Sequence, residues 1–223
     1  MIVCGAYAGK RVAVLGLARS GEAAAHSLLA GGAEVLAWDD NAKLREKFAG
    51  AIPLQDPAAL RWSEIAGLVL SPGIPHSFPA PHPAARAARD AGVPIIGDID
   101  LLGRAEPASR YIGITGTNGK STTTALIGHI LAAAGQRVEI GGNLGTPALS
   151  LAPLGAGGTY VLEASSFQLE LIGDLAFEIA VLLNITPDHL DRHGDMAGYI
   201  AAKRRIFARQ GAAAAAIVGI DDP

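Results

Sequence analysis

The chain has little cysteine, few aromatic residues and little excess charge. Its 223 residues include one cysteine, Cys4, so no internal disulfide can form. Aromatic residues make up 5% of the sequence. The core must therefore be built mainly from Ala, Val, Ile and Leu, which suit closely packed layers of helix on sheet. A net charge of −3 offers no basic surface for nucleic acid or for an anionic membrane.

Long hydrophobic runs are also missing. No stretch approaches the roughly 18 apolar residues of a membrane-spanning helix, and the N-terminus lacks the basic and apolar segments of a signal peptide. We therefore expect no membrane insertion and a cytoplasmic location. Half of the residues are hydrophobic and 17% are charged. This composition excludes intrinsic disorder, because it offers enough apolar surface to offset the entropy of ordering.

Short apolar strands alternate with helical segments along the chain. The pattern predicts strands at 11–15, 34–38, 68–70, 93–96, 111–114, 138–140, 160–162, 179–183 and 213–220, and helices at 22–30, 83–90, 121–134 and 199–209. Such alternation predicts an α/β fold with parallel sheets. The segment 103–110 contains Pro107 and no apolar periodicity. We place a domain boundary there, between residues 1–106 and residues 107–223.

The most informative stretch is Gly-Thr-Asn-Gly-Lys-Ser at 116–121, between a predicted strand and a predicted helix. Glycines there let backbone N–H groups turn toward phosphate, Lys120 would lie against the β- and γ-phosphates, and the Ser121 hydroxyl would bind Mg²⁺. Ile114 stands where the usual P-loop has its first glycine. A purely structural glycine-rich turn is the alternative, but Gly-Lys-Ser at this junction favours a nucleotide site. The residues predicted to bind ATP are Gly116, Thr117, Asn118, Gly119, Lys120, Ser121 and Thr122.

Acidic and imidazole side chains follow two further predicted strands. Glu163 ends the strand at 160–162, where an acid can reach a metal on nucleotide phosphates, although a solvated carboxylate is the alternative. His189 lies in the loop after the strand at 179–183. Because ligands bind at the carboxyl ends of parallel strands, this loop should face the glycine-rich stretch at 116–121, which we call the phosphate loop. His189 would then lie near a second Mg²⁺ or a phosphate. The alternative is that Thr186 or Asp188 simply caps a helix.

Lys203 occupies an unusual place in its predicted helix. It lies on the apolar stripe formed by Tyr199, Ile206 and Phe207. A buried lysine has a lowered pKa and a partly neutral, reactive amine. A lysine that snorkels to solvent from the edge of the stripe is the alternative.

The first predicted domain carries an imperfect dinucleotide-type fingerprint at 16–21, with Ala18 in place of the middle glycine. Asp39 ends the second strand, where an acid can bind a sugar hydroxyl. The turn of Ser71, Pro72 and Gly73 ends the third strand and would line the same crevice. These features indicate a nucleotide-type ligand, or alternatively tight turns between strands and helices.

Taken in order, several motifs resemble those of the Mur ligases, the ATP-dependent amide-forming ligases of peptidoglycan precursor synthesis. They are residues 116–121, the glycine-rich segment 141–145, Glu163, the Asp-His-Leu-Asp segment 188–191, and Lys203. The segment 162–170 is similar to the D-glutamate-adding members. The resemblance implies a Rossmann-like, UDP-binding first domain followed by the first half of a P-loop ATPase-type domain. The rest of that domain and a C-terminal domain are expected to be absent from this chain.

The resemblance also implies ligands and residue roles. The ligands would be UDP-N-acetylmuramoyl-L-alanine, ATP, D-glutamate and Mg²⁺, in a protein expected to be a monomer. The implied catalytic residues are Lys120, His189 and Lys203, the last as a carbamate, and the implied metal ligands are Ser121, Glu163 and His189. The implied substrate-binding residues are Arg19, Ser20, Asp39, Ser71, Pro72, Gly73, Asn143, Ser165 and His189. Two departures from the family pattern, Ala18 and Asn41, concern the uridine contacts.

Other classes of protein remain as alternatives. An NAD-dependent dehydrogenase would use the fingerprint at 16–21 but would leave the phosphate loop unexplained. A non-catalytic nucleotide-binding module would give Glu163, His189 and Lys203 no shared task. Another Mur-type or folylpolyglutamate-type ligase would differ in substrate. Because the D-glutamate pocket is expected outside these residues, we predict that the chain alone does not turn over.

Overall fold

A computed structural model of the chain describes residues 1–143 and 145–221. Leu144, in the glycine-rich segment of the family resemblance, lies outside the described residues. So do Asp222 and Pro223, at the end of the second predicted domain. The described residues form two parallel sheets, one after the other along the chain.

The first sheet has four strands in the order β2-β1-β3-β4. All its neighbouring strands are parallel. Its strands are β1 (Arg11–Leu15), β2 (Glu34–Trp38), β3 (Ile65–Leu70) and β4 (Ile95–Ile96), and the helices among them are α1 (Arg19–Ala30), α2 (Ala42–Phe48), α3 (Pro83–Asp90) and α4 (Asp98–Ala105). Short 3-10 turns lie at Gly5–Tyr7, Pro57–Ala59 and Trp62–Glu64.

The second sheet has five parallel strands in the order β6-β7-β5-β8-β9. Its strands are β5 (Arg110–Thr115), β6 (Val138–Gly142), β7 (Thr159–Glu163), β8 (Ile179–Leu182) and β9 (Ala215–Val218). Its helices are α5 (Lys120–Ala133), α6 (Ser166–Glu170), α7 (Leu190–His193) and α8 (Met196–Arg204), and 3-10 turns lie at Ala148–Ser150 and Arg205–Phe207. The two parallel sheets confirm the predicted fold class.

Helix boundaries differ most from the sequence prediction around the segment between the two sheets. α4 extends to Ala105 and so occupies the first part of the predicted linker at 103–110. The sequence analysis missed this helix because its eight residues mix buried apolar side chains with two buried acids, Asp98 and Asp100. α1 begins at Arg19 rather than at residue 22, because Ala18 is the N-cap in an extended conformation.

The two sheets share one apolar cluster. It includes Val12 and Val14 of β1, Leu28 of α1, and Tyr160 and Leu162 of β7. Helices α1 and α4 both contact the turn at Ala148–Ser150. Burial of a continuous apolar surface favours a fixed relation between the two sheets.

A buried carboxylate reinforces this junction. Asp100 is 1% exposed, and its Oδ1 accepts hydrogen bonds from the backbone N–H groups of Gly173, Asp174 and Leu175 at 2.8–3.1 Å. Its Oδ2 lies 3.1 Å from Arg104 Nη2. α4 is thereby bound to the loop between α6 and β8. None of the helices among the described residues has the length and apolar character to cross a membrane.

Candidate functional site

The phosphate loop joins the end of β5 to the start of α5. Gly119 is the N-cap of α5 with φ of 83°, and no side chain caps that helix. An open helix N-terminus presents backbone N–H groups and the positive end of the helix dipole, which together suit an anion. Lys120 is turned back onto the loop, where its Nζ donates to the carbonyls of Gly116 at 2.9 Å and Thr117 at 2.8 Å.

The loop after β8 clamps the phosphate loop from the side. The side chain of Asn184 accepts a hydrogen bond from Asn118 N at 2.9 Å and donates to Asn118 O at 3.1 Å. Thr117 Oγ1 donates to Thr186 O at 3.1 Å and accepts from Thr186 N at 3.0 Å. The phosphate loop is therefore held in shape by its own chain before any ligand binds.

Ser121, Glu163 and Asn143 come together at the carboxyl ends of β5, β6 and β7. The carboxylate of Glu163 is buried, with 2% of the residue exposed. Its Oε2 accepts from Ser121 Oγ at 2.7 Å, and its Oε1 accepts from Asn143 Nδ2 at 2.9 Å. Gly142 permits the backbones of β6 and β7 to approach closely here, because a Cβ at that position would lie 2.2 Å from the backbone oxygen of Glu163, which accepts from Asn143 N at 2.9 Å.

This oxygen set suits Mg²⁺. Mg²⁺ is usually held by one or two carboxylates together with waters and substrate phosphates, rather than by a cage of acids. Among the described residues no three His, Cys, Asp or Glu side chains cluster as a metal site. Ser121 and Glu163 therefore fit a magnesium ion that is held partly by the phosphates of a nucleotide.

Among the described residues, the side chain of His189 contacts Asp188 and Phe167 and does not contact Ser121 or Glu163. His189 is the N-cap of α7 with φ of 50°, a left-handed conformation that is uncommon for a non-glycine residue. Its half-exposed ring lies 5.0 Å from that of Phe167, and its Nε2 lies 3.3 Å from Asp188 Oδ2. Strained backbone of this kind is often retained at functional sites.

Lys203 is buried, with 2% of the residue exposed. Its Nζ donates to Gly116 O at 2.8 Å and lies 4.7 Å from the centroid of the Tyr199 ring. Burial and then the positive charge of Lys120 lower the pKa of Lys203 from 10.5 to about 8, against an opposing effect of Asp188. The reactive-lysine interpretation is thus favoured over a lysine that reaches solvent.

At the first sheet, the predicted ligand residues hold the chain's own backbone. Asp39 accepts hydrogen bonds from Leu17 N at 2.6 Å and Asn41 N at 2.8 Å. Ser71 Oγ donates to Gly16 O at 3.1 Å. The side chain of Asn41 caps α2 by accepting from Lys43 N at 3.0 Å. Pro72 and Gly73 complete the turn after β3.

Three further predicted residues join the two sheets or cap a helix. The Arg19 guanidinium contacts the carbonyl of Gly145, in the loop after β6. The Ser20 hydroxyl is a hydrogen-bond partner of the buried carboxyl of Asp98, whose pKa is raised by burial. Ser165 caps α6 through a reciprocal bond with Gln168. Thr122 lies exposed in the first turn of α5.

Sequence reasoning missed several residues that shape the site. Tyr199 was assigned only to an apolar stripe, yet its hydroxyl lies 3.1 Å from Thr117 Oγ1 in the phosphate loop. Asn184 is not among the predicted site residues, although its side chain makes hydrogen bonds with both the N–H and the carbonyl of Asn118. Both side chains contact the phosphate loop from positions more than 60 residues further along the chain, so their partners become visible only in the folded structure.

A cavity of about 750 Å³ lies elsewhere, beside the first sheet. Trp38, Arg45, Trp62 and His82 are among the residues that line it. None of the predicted site residues lines this cavity. The phosphate loop and the carboxyl ends of β5 and β7 remain the place where chemically relevant side chains converge.

The sequence matches known proteins along its whole length. Residues 114–223 match the family model described as the Mur ligase middle domain. The chain is 56% identical over 222 residues to a protein of Rhodospirillum rubrum named UDP-N-acetylmuramoylalanine--D-glutamate ligase, covering 97% of this chain and 46% of that protein. A protein of the same name from Novosphingobium aromaticivorans is 52% identical, with 100% and 50% covered. The chain thus spans about half the length of these relatives.

Solved structures support the fold. A crystal structure of UDP-N-acetylmuramate:L-alanyl-gamma-D-glutamyl-meso-diaminopimelate ligase from Neisseria meningitides matches with a TM-score of 0.60 at 16% identity, covering 94% of this chain and 71% of that one. UDP-N-acetylmuramate-alanine ligase MurC from Thermotoga maritima matches with a TM-score of 0.52 at 20% identity, covering 88% and 46%. At these identities the likeness concerns the fold alone.

Proposed function

Because this chain belongs to the Mur ligase family, we propose that the protein containing it is an ATP-dependent ligase that adds D-glutamate to UDP-N-acetylmuramoyl-L-alanine. The observation that carries the proposal is the hydrogen-bonded group of Ser121, Glu163 and Asn143 beside the phosphate loop. At one edge of the sheet, a loop suited to nucleotide phosphates lies beside two oxygen ligands suited to Mg²⁺, from Ser121 and Glu163, and beside the amide of Asn143, which can donate a hydrogen bond. The relatives named above supply the choice of D-glutamate and of the muramoyl nucleotide.

In the proposed reaction the terminal L-alanine carboxylate attacks the γ-phosphorus of ATP, and ADP leaves. The D-glutamate amine then attacks the acyl phosphate, loses a proton, and displaces phosphate to form the amide. The first step brings two anions together. Lys120 would neutralise part of that charge once its Nζ exchanges the carbonyls of Gly116 and Thr117 for phosphate oxygens.

Ser121 and Glu163 would hold Mg²⁺. When bound, the ion withdraws negative charge from the phosphate oxygens. Asn143 orients the Glu163 carboxylate through its Nδ2–H. Its side chain, which is exposed, would also contact the muramoyl substrate. His189 would serve a second Mg²⁺ or the muramoyl substrate after a change in its present contacts with Asp188 and Phe167.

Lys203 would carry CO₂ as a carbamate. A neutral amine attacks CO₂ and loses a proton, which leaves an N–H and an anionic oxygen pair. The remaining N–H can keep the hydrogen bond to Gly116 O, while the new oxygens supply negative charge beside the phosphate loop. The lowered pKa of Lys203 favours the neutral amine that this step needs.

We assign the binding of the two nucleotides to different parts of the chain. We propose that residues 1–106 bind the UDP part of the substrate and that residues 107–223 form the first half of the ATP-binding domain. Arg19, Ser20, Asp39, and the turn at 71–73 would contact the uridine and pyrophosphate, and Ser165 would lie near the muramoyl end. In this assignment Asp39 and Ser71 act first by fixing the backbone around Gly16.

An assay with the full-length protein tests the proposal. ADP release should require UDP-N-acetylmuramoyl-L-alanine and D-glutamate together, and Lys120→Ala should abolish it. L-glutamate, L-alanine and glycine serve as control acceptors in place of D-glutamate and should not support ADP release. ADP release that depends on UDP-N-acetylmuramate and L-alanine, or on no amino acid at all, would contradict the proposal.

A further inference from the structure

A cluster of ionisable side chains lies between the two sheets, outside the groups that the proposed reaction uses. It consists of His76, Glu170, Arg192 and His193, and we call it the Glu170 network. Glu170 is the last residue of α6, and 16% of its side chain is exposed. Its two carboxylate oxygens face different partners, which come from different parts of the chain.

On one side the network contacts the loop that follows β3. His76 Nε2 lies 3.3 Å from Glu170 Oε2. Arg192 Nη1 lies 3.5 Å from the same oxygen and donates a hydrogen bond to Phe78 O at 2.9 Å. His76 follows Gly73 by three residues, so this loop directly continues the turn at 71–73.

On the other side the network contacts α7. His193 Nδ1 lies 3.2 Å from Glu170 Oε1, and its Nε2 lies 2.9 Å from Ser166 Oγ. The backbone N–H groups of Arg192 and His193 both donate to His189 O, at 3.0 and 3.1 Å. The last two residues of α7 therefore fix the residue at its start, which is His189.

The partners of Glu170 on α7 are buried, so no solvent or other charge can readily substitute for its carboxylate. Arg192 is 7% exposed and His193 is 8% exposed. Within the described part of the chain, neither side chain contacts a carboxylate other than that of Glu170. The guanidinium of Arg192 stays charged, and a buried cation is strongly disfavoured without a counter-charge. Loss of the Glu170 charge should therefore loosen α7 and its contact with the loop at 76–78.

We propose that Glu170 is a positioning residue for the muramoyl nucleotide. It holds the loop after the turn at 71–73 against α7, and so sets the separation between that turn and His189. The inference rests on the proposed function, which assigns those two elements to opposite ends of one substrate. Among the described residues, no side chain of the network contacts the phosphate loop directly; the His193 ring lies 5.4 Å from that of Tyr199, whose hydroxyl lies 3.1 Å from Thr117 Oγ1. Because this link is indirect, Glu170 should act mainly on the muramoyl nucleotide and little on ATP binding.

Glu170→Gln keeps the size of the side chain and removes its charge. In the full-length protein we expect it to raise KM for UDP-N-acetylmuramoyl-L-alanine at least tenfold and to leave KM for ATP within twofold. Glu178→Gln is the matched control. Glu178 is exposed, and its backbone, rather than its side chain, makes the hydrogen bonds with Tyr111 and Ala215. That variant should behave as the unmodified protein. An unchanged KM for the muramoyl nucleotide in Glu170→Gln would overturn the inference.

A double-mutant cycle tests the route through His76. His76→Asn removes the first-sheet partner and should raise the same KM. Combined with Glu170→Gln, it should add little further, because both changes break one contact. Fully additive effects, or an equal rise in KM for ATP, would overturn the inference. If Glu170→Gln does not fold, His76→Asn alone tests the inference. In that case an unchanged KM for the muramoyl nucleotide in His76→Asn would refute the inference. If the unmodified protein does not use the muramoyl nucleotide, the proposed function itself is wrong.

Discussion

The burial of Lys203 leads to a quantitative prediction about carbamate formation. Only a neutral amine reacts with CO₂, and an ordinary lysine with a pKa of 10.5 is almost wholly protonated near neutral pH. Burial and the nearby Lys120 charge lower the pKa of Lys203 to about 8. At pH 7.5 about one quarter of such an amine is neutral, against roughly 0.1% of an ordinary lysine. The neutral fraction is therefore about 200-fold larger.

The assay is carbon-13 NMR of the chain in labelled bicarbonate. We expect a carbamate resonance from Lys203, in addition to that of the Met1 α-amine, and its intensity should rise with pH around 8 rather than around 10.5. Lys203→Arg should remove the resonance, because a guanidinium stays charged. Lys43→Arg is the matched control, since Lys43 is exposed and its loss should leave the resonance unchanged. If Lys203→Arg removes no resonance at any bicarbonate concentration, the reasoning is refuted.

Four other predictions concern the site, the junction and the chain as a whole. Glu163→Gln should lower the affinity for ATP at least tenfold in the presence of Mg²⁺ and little in its absence, as measured by calorimetry, because it removes the buried metal-binding charge; equal affinity for MgATP would contradict this. Asp100→Ala should lower the free energy of unfolding by about 3 kcal/mol or more in chemical denaturation, because three backbone N–H groups lose their acceptor. A decrease of less than about 1 kcal/mol, as is typical of a substitution at a surface site, would contradict this prediction. Asn41→Ala should cost about 1 kcal/mol of stability in the same measurement, because it removes the cap of α2; no change would show the cap to be unimportant. The chain alone should release no ADP when given ATP, the muramoyl nucleotide and D-glutamate, and substrate-dependent release would refute that prediction.

The sequence was sufficient to predict the strands and the phosphate loop. Parallel strands are covered on both faces, so they appear as short continuous apolar runs such as the one at 160–162. The glycines around Lys120 mark a turn that only a small set of functions needs. The position of the loop after β8 beside the phosphate loop followed from the rule that ligands bind at the carboxyl ends of parallel strands.

The sequence was not sufficient to predict side chains whose partners are distant along the chain. In the sequence, Asp100 has the pattern of an ordinary acidic residue in the first turn of a helix. Its role becomes visible only when α4 packs against the loop at 173–175, whose N–H groups donate to its carboxylate. Glu170 gave no signal of its own, because its partners at 76 and 193 are brought together only by the packing of the two sheets. Of the two departures from the family pattern, Asn41 caps α2 with its side chain, whereas Ala18 occupies the N-cap position of α1 without a side-chain cap; apolar periodicity could reveal neither position.

The most direct test of the central claim is a calorimetric titration of this chain with UDP-N-acetylmuramoyl-L-alanine, with UDP and NAD⁺ as comparisons. The account predicts that the muramoyl nucleotide binds more tightly than UDP, because contacts at Asn143 and His189 add to those of the first sheet, and that NAD⁺ does not bind. Binding of NAD⁺ in preference to the muramoyl nucleotide would contradict the account.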